Sequence, residues 1–449
     1  MGLAATQRRT RTLIVGLGKT GLSCARFLAA HGEEIAITDS RERPPGLADL
    51  RELLPNAAVF LGGFSEEALK RADRVVLSPG VAVTSPFVAE ARKLGLPVLG
   101  DIELFAHYAH APVIGITGAN GKSTVTALLG LMAERAGKKV RVGGNLGTPA
   151  LDLLAKDEPE LYVLELSSFQ LEITDSLPCI AATVLNLSPD HMDRYPGMKE
   201  YAAAKTRIFR HCRTAVLNRE DAWVKSMAAE SKRRVSFGLD EPAAGDYGLI
   251  GSGPTAWLAW GTERLMPASV LRIQGRHNLA NALAALALGE AAGLPLDAML
   301  QELSEFRGLA HRMEFVSLTG EVSYYDDSKG TNVGATLAAV QGVAQPLVLI
   351  AGGDGKGQDF SSLADALAAK ARAVVLLGKD AALIEDAIAN RVPVKRVKDM
   401  DAAVTAAAAL AQPGDMVLLS PACSSLDMFE NFEQRGRMFA AAVRRLAGE

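Results

Sequence analysis

Short β-branched runs alternate with helix-length amphipathic stretches along nearly the whole chain, a pattern that predicts parallel sheets covered by helices. Over the first hundred residues, strands are expected at Thr12–Val15, Glu34–Thr38, Val59–Leu61 and Arg74–Leu77. A second group falls at Pro112–Thr117, Leu161–Leu166, Ala181–Leu187 and Thr214–Leu217. A third falls at Val322–Tyr325, Pro346–Ile350, Ala373–Leu377 and Met416–Leu419. The alternation breaks at Gly-Leu-Pro-Val-Leu-Gly, ending at Gly100, and at Phe-Arg-Gly-Leu-Ala around Gly308. Those breaks predict three α/β domains over residues 1–100, 101–307 and 308–449. Sheets of this kind bind ligands at the carboxyl ends of their strands, so the loops that follow strands are where chemistry is expected.

Composition narrows the classes. A length of 449 residues accommodates three separate cores. The net charge of −3 offers no broad attraction to nucleic acid or to an anionic membrane, and neither is expected as a partner. Cys24, Cys179, Cys212 and Cys423 are far apart without C-x-x-C spacing, so they read as reduced thiols of a cytoplasmic protein. Arg8, Arg9 and Arg11 precede an apolar run, Leu13–Leu17, that is too short and glycine-broken for a signal peptide. No stretch approaches 18 uninterrupted apolar residues; Ala282–Leu296 comes nearest, and Glu290 marks it as a core helix.

The segment Gly115-Ile-Thr-Gly-Ala-Asn-Gly-Lys-Ser-Thr124 lies between a strand and a helix-like stretch that runs to about Ala136. Backbone N–H groups of such a turn can wrap a polyphosphate, Lys122 can neutralise it, and a hydroxyl of Ser123 or Thr124 can hold Mg²⁺. Ile116 stands where the usual G-x-x-x-x-G-K-[ST] pattern has its first glycine, yet a lysine here is hard to explain without an anion. ATP is the expected ligand. A second glycine turn, Gly16-Leu17-Gly18-Lys19-Thr20-Gly21, closes the first strand, and Asp39 ends the next. It suits a dinucleotide, another nucleotide diphosphate, or a structural turn alone. Ser78-Pro79-Gly80-Val81 ends a further strand and can line the same cleft.

Glu165 sits at the end of an apolar strand-like run, where a buried carboxylate needs a partner. Asn186-Leu187-Ser188-Pro189-Asp190-His191-Met192-Asp193 follows the next strand of that group. Glu165 and His191 at the phosphate edge read as metal ligands, direct or through water; a plain loop histidine is the alternative for His191. Gly275-Arg-His-Asn-Leu-Ala-Asn-Ala282 opens a helix with Asn278 and Asn281 three apart. Their amides either read the edge of adenine or supply a cap and a solvated amide. In the third group, His311-Arg312, Asp326–Asn332, Gly352–Gly357 and Pro421–Asp427 follow the linker or strands. Lys329, Lys356 and Ser424/Ser425 together make a pocket suited to an acidic small molecule.

Taken with its glycine turn, the segment Thr117–Thr124 resembles the ATP loop of the Mur ligases, which accounts for its departure from the usual spacing. The Gly-Arg-His-Asn-x-x-Asn-Ala segment at 275–282 is similar to another hallmark of that family. Glu165–Leu171, Asp326–Asn332 and Leu418–Gly436 resemble the member that adds D-glutamate, and the likeness covers the whole length. It implies a central P-loop ATP-binding parallel-sheet domain flanked by two Rossmann-like α/β domains. It implies that ATP phosphorylates the carboxylate of UDP-N-acetylmuramoyl-L-alanine and that the amine of D-glutamate attacks the acyl phosphate.

On this resemblance Gly18, Lys19, Thr20, Asp39, Ser40, Arg41, Ser78, Pro79 and Gly80 hold the UDP portion, and Asn145 and His191 meet the muramoyl part and the metal region. Gly118, Asn120, Gly121, Lys122, Ser123 and Thr124 cradle ATP phosphates, Asn278 and Asn281 take adenine, Arg312 reaches the phosphates and Asp327 the ribose. D-Glutamate falls to Lys329, Thr331, Lys356, Ser425, Leu426 and Phe432. Ser123, Thr124, Glu165, His191 and Lys205 are the implied metal ligands for two Mg²⁺ ions, with Lys122, His191 and Lys205 catalytic. From its residues alone Lys205 reads as a solvated helix lysine; the resemblance implies that it is carbamylated. A bare ammonium about 4 Å from Mg²⁺ would cost roughly 8 kcal/mol at an effective dielectric of 20, whereas a carbamate reverses the sign. A cytoplasmic monomer whose third domain closes over ATP is expected. Rival readings are another ligase of the superfamily, such as a folylpolyglutamate synthase, a non-catalytic ATP-binding switch, and an NAD-dependent dehydrogenase built on the first turn. The last leaves Lys122 and Lys205 unexplained.

Overall fold

The computed structural model describes residues 9–154, 157–227, 231–273 and 275–448, and three sheets organise them. Arg8 of the basic run lies outside the described residues. All the strands expected from the hydrophobic pattern form, with ends displaced by at most three residues. The first sheet has five parallel strands in the order Ala58–Leu61, Glu34–Asp39, Arg11–Val15, Arg74–Leu77, Val98–Leu99. The sheet order reverses between Arg11–Val15 and Arg74–Leu77, which opens a cleft above the Gly16–Gly21 turn.

Six parallel neighbours surround Val113–Thr117 in the central sheet, from Val140–Gly144 at one edge through Leu161–Glu165, Cys179–Val184, Thr214–Asn218 and Arg233–Phe237 to Tyr247–Ile250. Beyond that the expectation of parallel sheets needs correction. Tyr247–Ile250, Trp257–Trp260 and Glu263–Pro267 form an antiparallel extension. The third sheet also gains an antiparallel edge, Glu314–Thr319 against Val322–Asp326. Its two-residue turn has Gly320 at φ 57° and Glu321 at φ 61°, the left-handed pair that a tight hairpin demands. A short connection cannot join parallel strands, so these close spacings dictate the antiparallel pairs.

The first two sheets share one apolar core. Ile14, Leu17 and Val76 pack with Tyr162 and Leu164 through Ile102, Leu104 and Phe105 of the helix Asp101–Tyr108. Ser23 Oγ and Arg26 Nη1 donate to Asp152 across the same junction at 2.9 and 3.2 Å. The third sheet instead keeps its own clusters, Leu347 and Leu349 on one face and Val348 and Ile350 on the other. It meets the central unit through side-chain amides and charges. Asn120 and Asn332 exchange amide hydrogen bonds at 3.1 and 3.3 Å, and Lys356 donates to Asp190 at 3.2 Å.

Gly21 shows how closely the first helix meets its strand. A Cβ there would lie 2.0 Å from the carbonyl oxygen of Gly16 and 3.0 Å from Ser78 Oγ. Gly21→Ala is expected to destabilise the free protein by about 1–3 kcal/mol through overpacking, read as a lower urea midpoint. An unchanged midpoint would show that the turn yields freely.

Candidate active site

The buried strand Val113–Thr117 ends in a loop whose backbone only glycine adopts easily: Gly118 has φ 151° and Gly121 φ 83°. A Cβ on Gly121 would also stand 2.4 Å from Asn281 Oδ1. Asn186, delivered by the neighbouring strand Cys179–Val184, pins the loop. Its carbonyl accepts from Ala119 N at 2.9 Å, its Oδ1 accepts from Asn120 N at 2.8 Å, and its Nδ2 donates to the Asn120 carbonyl at 3.0 Å. The helix Lys122–Arg135 follows at once, with its first amides pointing into the space beside the loop. Lys122 Nζ donates to the carbonyls of Gly118 and Ala119 at 2.9 and 2.8 Å. Burial lowers its pKa, although Glu165 and Asp190 oppose the shift.

Two cavities flank this loop. The first is a slot walled by Leu185, Leu187, Phe237 and Leu239, with Asn278, Asn281, Thr124 and Asp327 at its polar end. Asn281 Nδ2 donates to Asn278 Oδ1 at 3.1 Å, so the two amides do share one helical face. Apolar walls with a few convergent amides suit a planar heterocycle. Asp327 is buried, and desolvation raises its pKa to about 7.

The second cavity is polar. Lys122, Ser123, Asn145, Glu165, Asp190, His191, Lys205, Arg312, Lys329, Thr331 and Lys356 line it. Five basic side chains thus face two carboxylates, an excess that favours anionic ligands. Glu165 ends the strand Leu161–Glu165; its Oε1 accepts from Asn145 Nδ2 at 2.7 Å, while its Oε2 is buried with no partner. Burial alone would raise its pKa, but Lys122, Ser123, Asn145 and Lys329 together hold it below the usual range. An ionised carboxylate oxygen left free in a buried site fits a divalent cation.

His191 has φ 58°, in the left-handed region, and its ring meets Phe169 edge-on at 4.7 Å. Desolvation, with Lys356, Lys122 and Lys205 nearby, outweighs Asp190 and lowers its pKa to about 4. The imidazole is therefore neutral near pH 7 and able to act as a ligand or acceptor.

Lys205 corrects the reading made from residues alone. It is 2% exposed, not solvated, because the helix Met198–Thr206 lays its last turn against the P-loop strand. Its Nζ donates to Thr117 Oγ1 at 3.2 Å and to the Gly118 carbonyl at 3.0 Å. Desolvation first, and Lys122 second, drive its pKa well below that of an ordinary lysine.

The cleft over the first sheet is lined by Gly18, Lys19, Thr20, Asp39, Ser40, Arg41, Ser78, Pro79 and Gly80, and Asn145 reaches both this cleft and the polar cavity. Asp39 has little capacity left for a ribose. It accepts from Leu17 N at 2.7 Å and from Arg41 N, Nε and Nη2 at 2.7–2.9 Å. Burial pushes its carboxyl up, but Arg41 and the Leu17 amide win and leave it at about 2. Arg41 is the more available of the pair, its side chain 52% exposed. Lys19 donates to the Gly147 carbonyl across the cleft.

Among the residues assigned to D-glutamate, Lys329, Thr331 and Lys356 line the polar cavity. Ser425 is buried outside its lining, Leu426 is 72% exposed, and Phe432 opens the last helix beneath Lys329, whose Nζ is 3.8 Å from the ring centroid. Sequence reasoning missed Asn186 and Asn332, whose roles are visible only in pairing across loops. It also missed Phe237, which ends the unanticipated strand Arg233–Phe237.

Known proteins agree with this geometry. The chain matches the Mur ligase MurD-like N-terminal domain over residues 10–100, the Mur ligase middle domain over 116–289, and the Mur ligase glutamate ligase domain over 311–423. It is 56% identical to the UDP-N-acetylmuramoylalanine–D-glutamate ligase of Nitrosococcus oceani, over 97% of this chain and 96% of that one. It is 55% identical to the protein of the same name from Pseudomonas aeruginosa, over 97% and 98%. The fold is shared with the MurF ligase of Thermotoga maritima solved with ADP, at a TM-score of 0.61 and 16% identity over 99% of this chain and 98% of that one. UDP-N-acetylmuramate-alanine ligase MurC from the same organism matches at a TM-score of 0.62 and 20% identity, over 98% and 100%. With a P-loop, a paired-asparagine slot and a cationic pocket in one continuous match, the chain belongs to the Mur ligase family.

Proposed function

We propose that this protein joins D-glutamate to UDP-N-acetylmuramoyl-L-alanine, driven by ATP, in the cytoplasmic synthesis of peptidoglycan precursor. The observation that carries the reading is the polar cavity, where Lys122 of the P-loop, a free Glu165 oxygen and Lys329 and Lys356 of the third unit converge. That arrangement supports activation of a carboxylate and its capture by an amine that itself carries carboxylates, in one cavity. The full-length relatives that carry this activity in their names favour D-glutamate over the substrates of other ligases in the superfamily. A non-ligating ATP switch has no use for the first cleft or for Lys329 and Lys356.

The alanyl carboxylate attacks the γ-phosphorus of ATP, and ADP leaves. Lys122 and Arg312 offset charge on the phosphates, the P-loop amides hold them, and Asn278 with Asn281 orient adenine. Ser123, Thr124, Glu165, His191 and a carbamylated Lys205 would hold two Mg²⁺ ions, which when bound neutralise the charge that gathers on the transferring phosphoryl group. The depressed pKa of Lys205 supports carbamylation, since a neutral amine adds CO₂ and releases one proton. In the second step the D-glutamate nitrogen forms the amide bond to the acyl carbon, phosphate departs, and the amine loses a proton. Lys329, Thr331 and Lys356 would hold the glutamate carboxylates, with Ser425, Leu426 and Phe432 around it. Gly18 to Thr20, Asp39 to Arg41 and Ser78 to Gly80 would hold the UDP end, with Asn145 and His191 toward the muramoyl group. We further propose that the protein acts as a monomer whose third unit closes over ATP. Among the described residues no helix is long and apolar enough to cross a membrane.

Phosphate release measured with ATP, Mg²⁺, UDP-N-acetylmuramoyl-L-alanine and a panel of amino acids should depend on D-glutamate; release with another amino acid alone would reassign the step. Lys205→Ala should abolish turnover, with partial recovery on adding short carboxylic acids, and full activity in that variant would end the carbamate proposal. Glu165→Gln keeps the side chain's size but removes the charge. It should lower activity at fixed Mg²⁺ by about 10–100-fold, with a raised Mg²⁺ requirement; an unaltered Mg²⁺ titration would remove Glu165 from the ligand set.

A further inference from the structure

Arg194 stands three residues past His191 but turns away from the polar cavity. Its side chain is 13% exposed, and its guanidinium is engaged in several directions. Nη1 donates to the Pro79 carbonyl at 2.6 Å, and Nη2 donates to the Val81 carbonyl at 3.2 Å and to Glu172 Oε2 at 3.0 Å. Its Cζ lies 3.9 Å from the centroid of the Phe169 ring. Pro79 and Val81 belong to the turn that follows Arg74–Leu77, and that turn forms one wall of the cleft over the first sheet. Glu172 and Phe169 belong to the segment after Glu165. One side chain of the central unit therefore grips a wall of the neighbouring unit's cleft from behind.

Within its own unit the turn is held by Ser78 Oγ donating to the Gly16 carbonyl at 2.7 Å and by Val81 N donating to the Ser78 carbonyl at 3.0 Å. The Pro79 and Val81 carbonyls face outward, and a forked, planar cation stacked on an aromatic ring can receive both at once while a carboxylate fixes its azimuth. An ammonium has no such fork.

We propose that Arg194 is a positioning residue for the uridine nucleotide half of the substrate. It holds the Ser78–Val81 wall at the spacing a UDP group needs and touches no reacting atom. This rests on the assignment of the first cleft to UDP.

The test uses full-length protein, with UDP alone and ADP alone as calorimetric probes. Arg194→Met keeps much of the stem's bulk and should weaken UDP binding about tenfold or more, the scale of lost charge-assisted hydrogen bonds, with ADP affinity unchanged. Arg194→Lys should recover little of the loss, and it carries the test if the Met variant does not fold. In steady state the KM for UDP-N-acetylmuramoyl-L-alanine should rise while the KM for ATP and kcat stay within about twofold. Undiminished UDP affinity in the variants, or equal loss of UDP and ADP binding, overturns the proposal. Wild-type protein that binds ADP but not UDP overturns the cleft assignment itself, and the proposal with it.

Discussion

The carbonyl oxygen of Gly118 accepts from two lysines at once, Lys122 at 2.9 Å and Lys205 at 3.0 Å. Two ammonium groups on one oxygen repel each other, and both are removed from water, so the pair is poised to lose a proton or to gain an anion. Neighbouring features fit that requirement. Glu165 keeps a free oxygen beside the pair, His191 remains uncharged, and the positive end of the helix Lys122–Arg135 adds to the same field. Asn186, Asn145 and Thr117 fix the geometry without adding net charge. The family's phosphoryl chemistry is compatible with a site built this way because the developing negative charge meets positions that are already set.

Much of this was legible in the chain. Strands and their order along the sequence followed from β-branched runs, and strand ends pointed to the loops that matter. Lys122 announced itself through its glycines. Glu165 stood out because an ionisable residue interrupted an apolar run. Lys205 was the opposite case. Nothing local separates it from a surface lysine, since its burial arises from where a helix far along the chain comes to rest. Asp39 was recognisable as a strand-end carboxylate, but its partner Arg41, two residues away, takes up its hydrogen-bonding capacity. The antiparallel pairings escaped notice because Glu263–Pro267 and Glu314–Thr319 carry mixed polarity and Tyr247–Ile250 and Trp257–Trp260 are only four residues long, and only glycines such as Gly320 hint at the reversals.

Asparagines make several of the contacts between loops. Asn332 caps the helix Val333–Gly342 by accepting from Ala335 N at 2.8 Å, and its Nδ2 donates to Asn120 and to Asp190. Gly334 makes that approach possible, for a Cβ there would lie 2.7 Å from Ser188 Oγ. The P-loop, the loop bearing His191 and the first turn of the third unit's helix are therefore registered by amides whose donors and acceptors are both used. Neutral groups do this without disturbing the charge balance next door.

The two junctions between units differ in kind. Ile14, Leu17, Phe105 and Tyr162 seal the first to the second with side chains that water would solvate poorly. The second meets the third through Asn120, Asn332, Lys356 and Asp190, all of which find water an adequate substitute partner. Parting the latter seam would wet amides and charges already suited to solvent, together with the slot walled by Leu185, Leu187, Phe237 and Leu239. A seam of this composition holds less strongly than the first, whose apolar contacts have no such substitute in water.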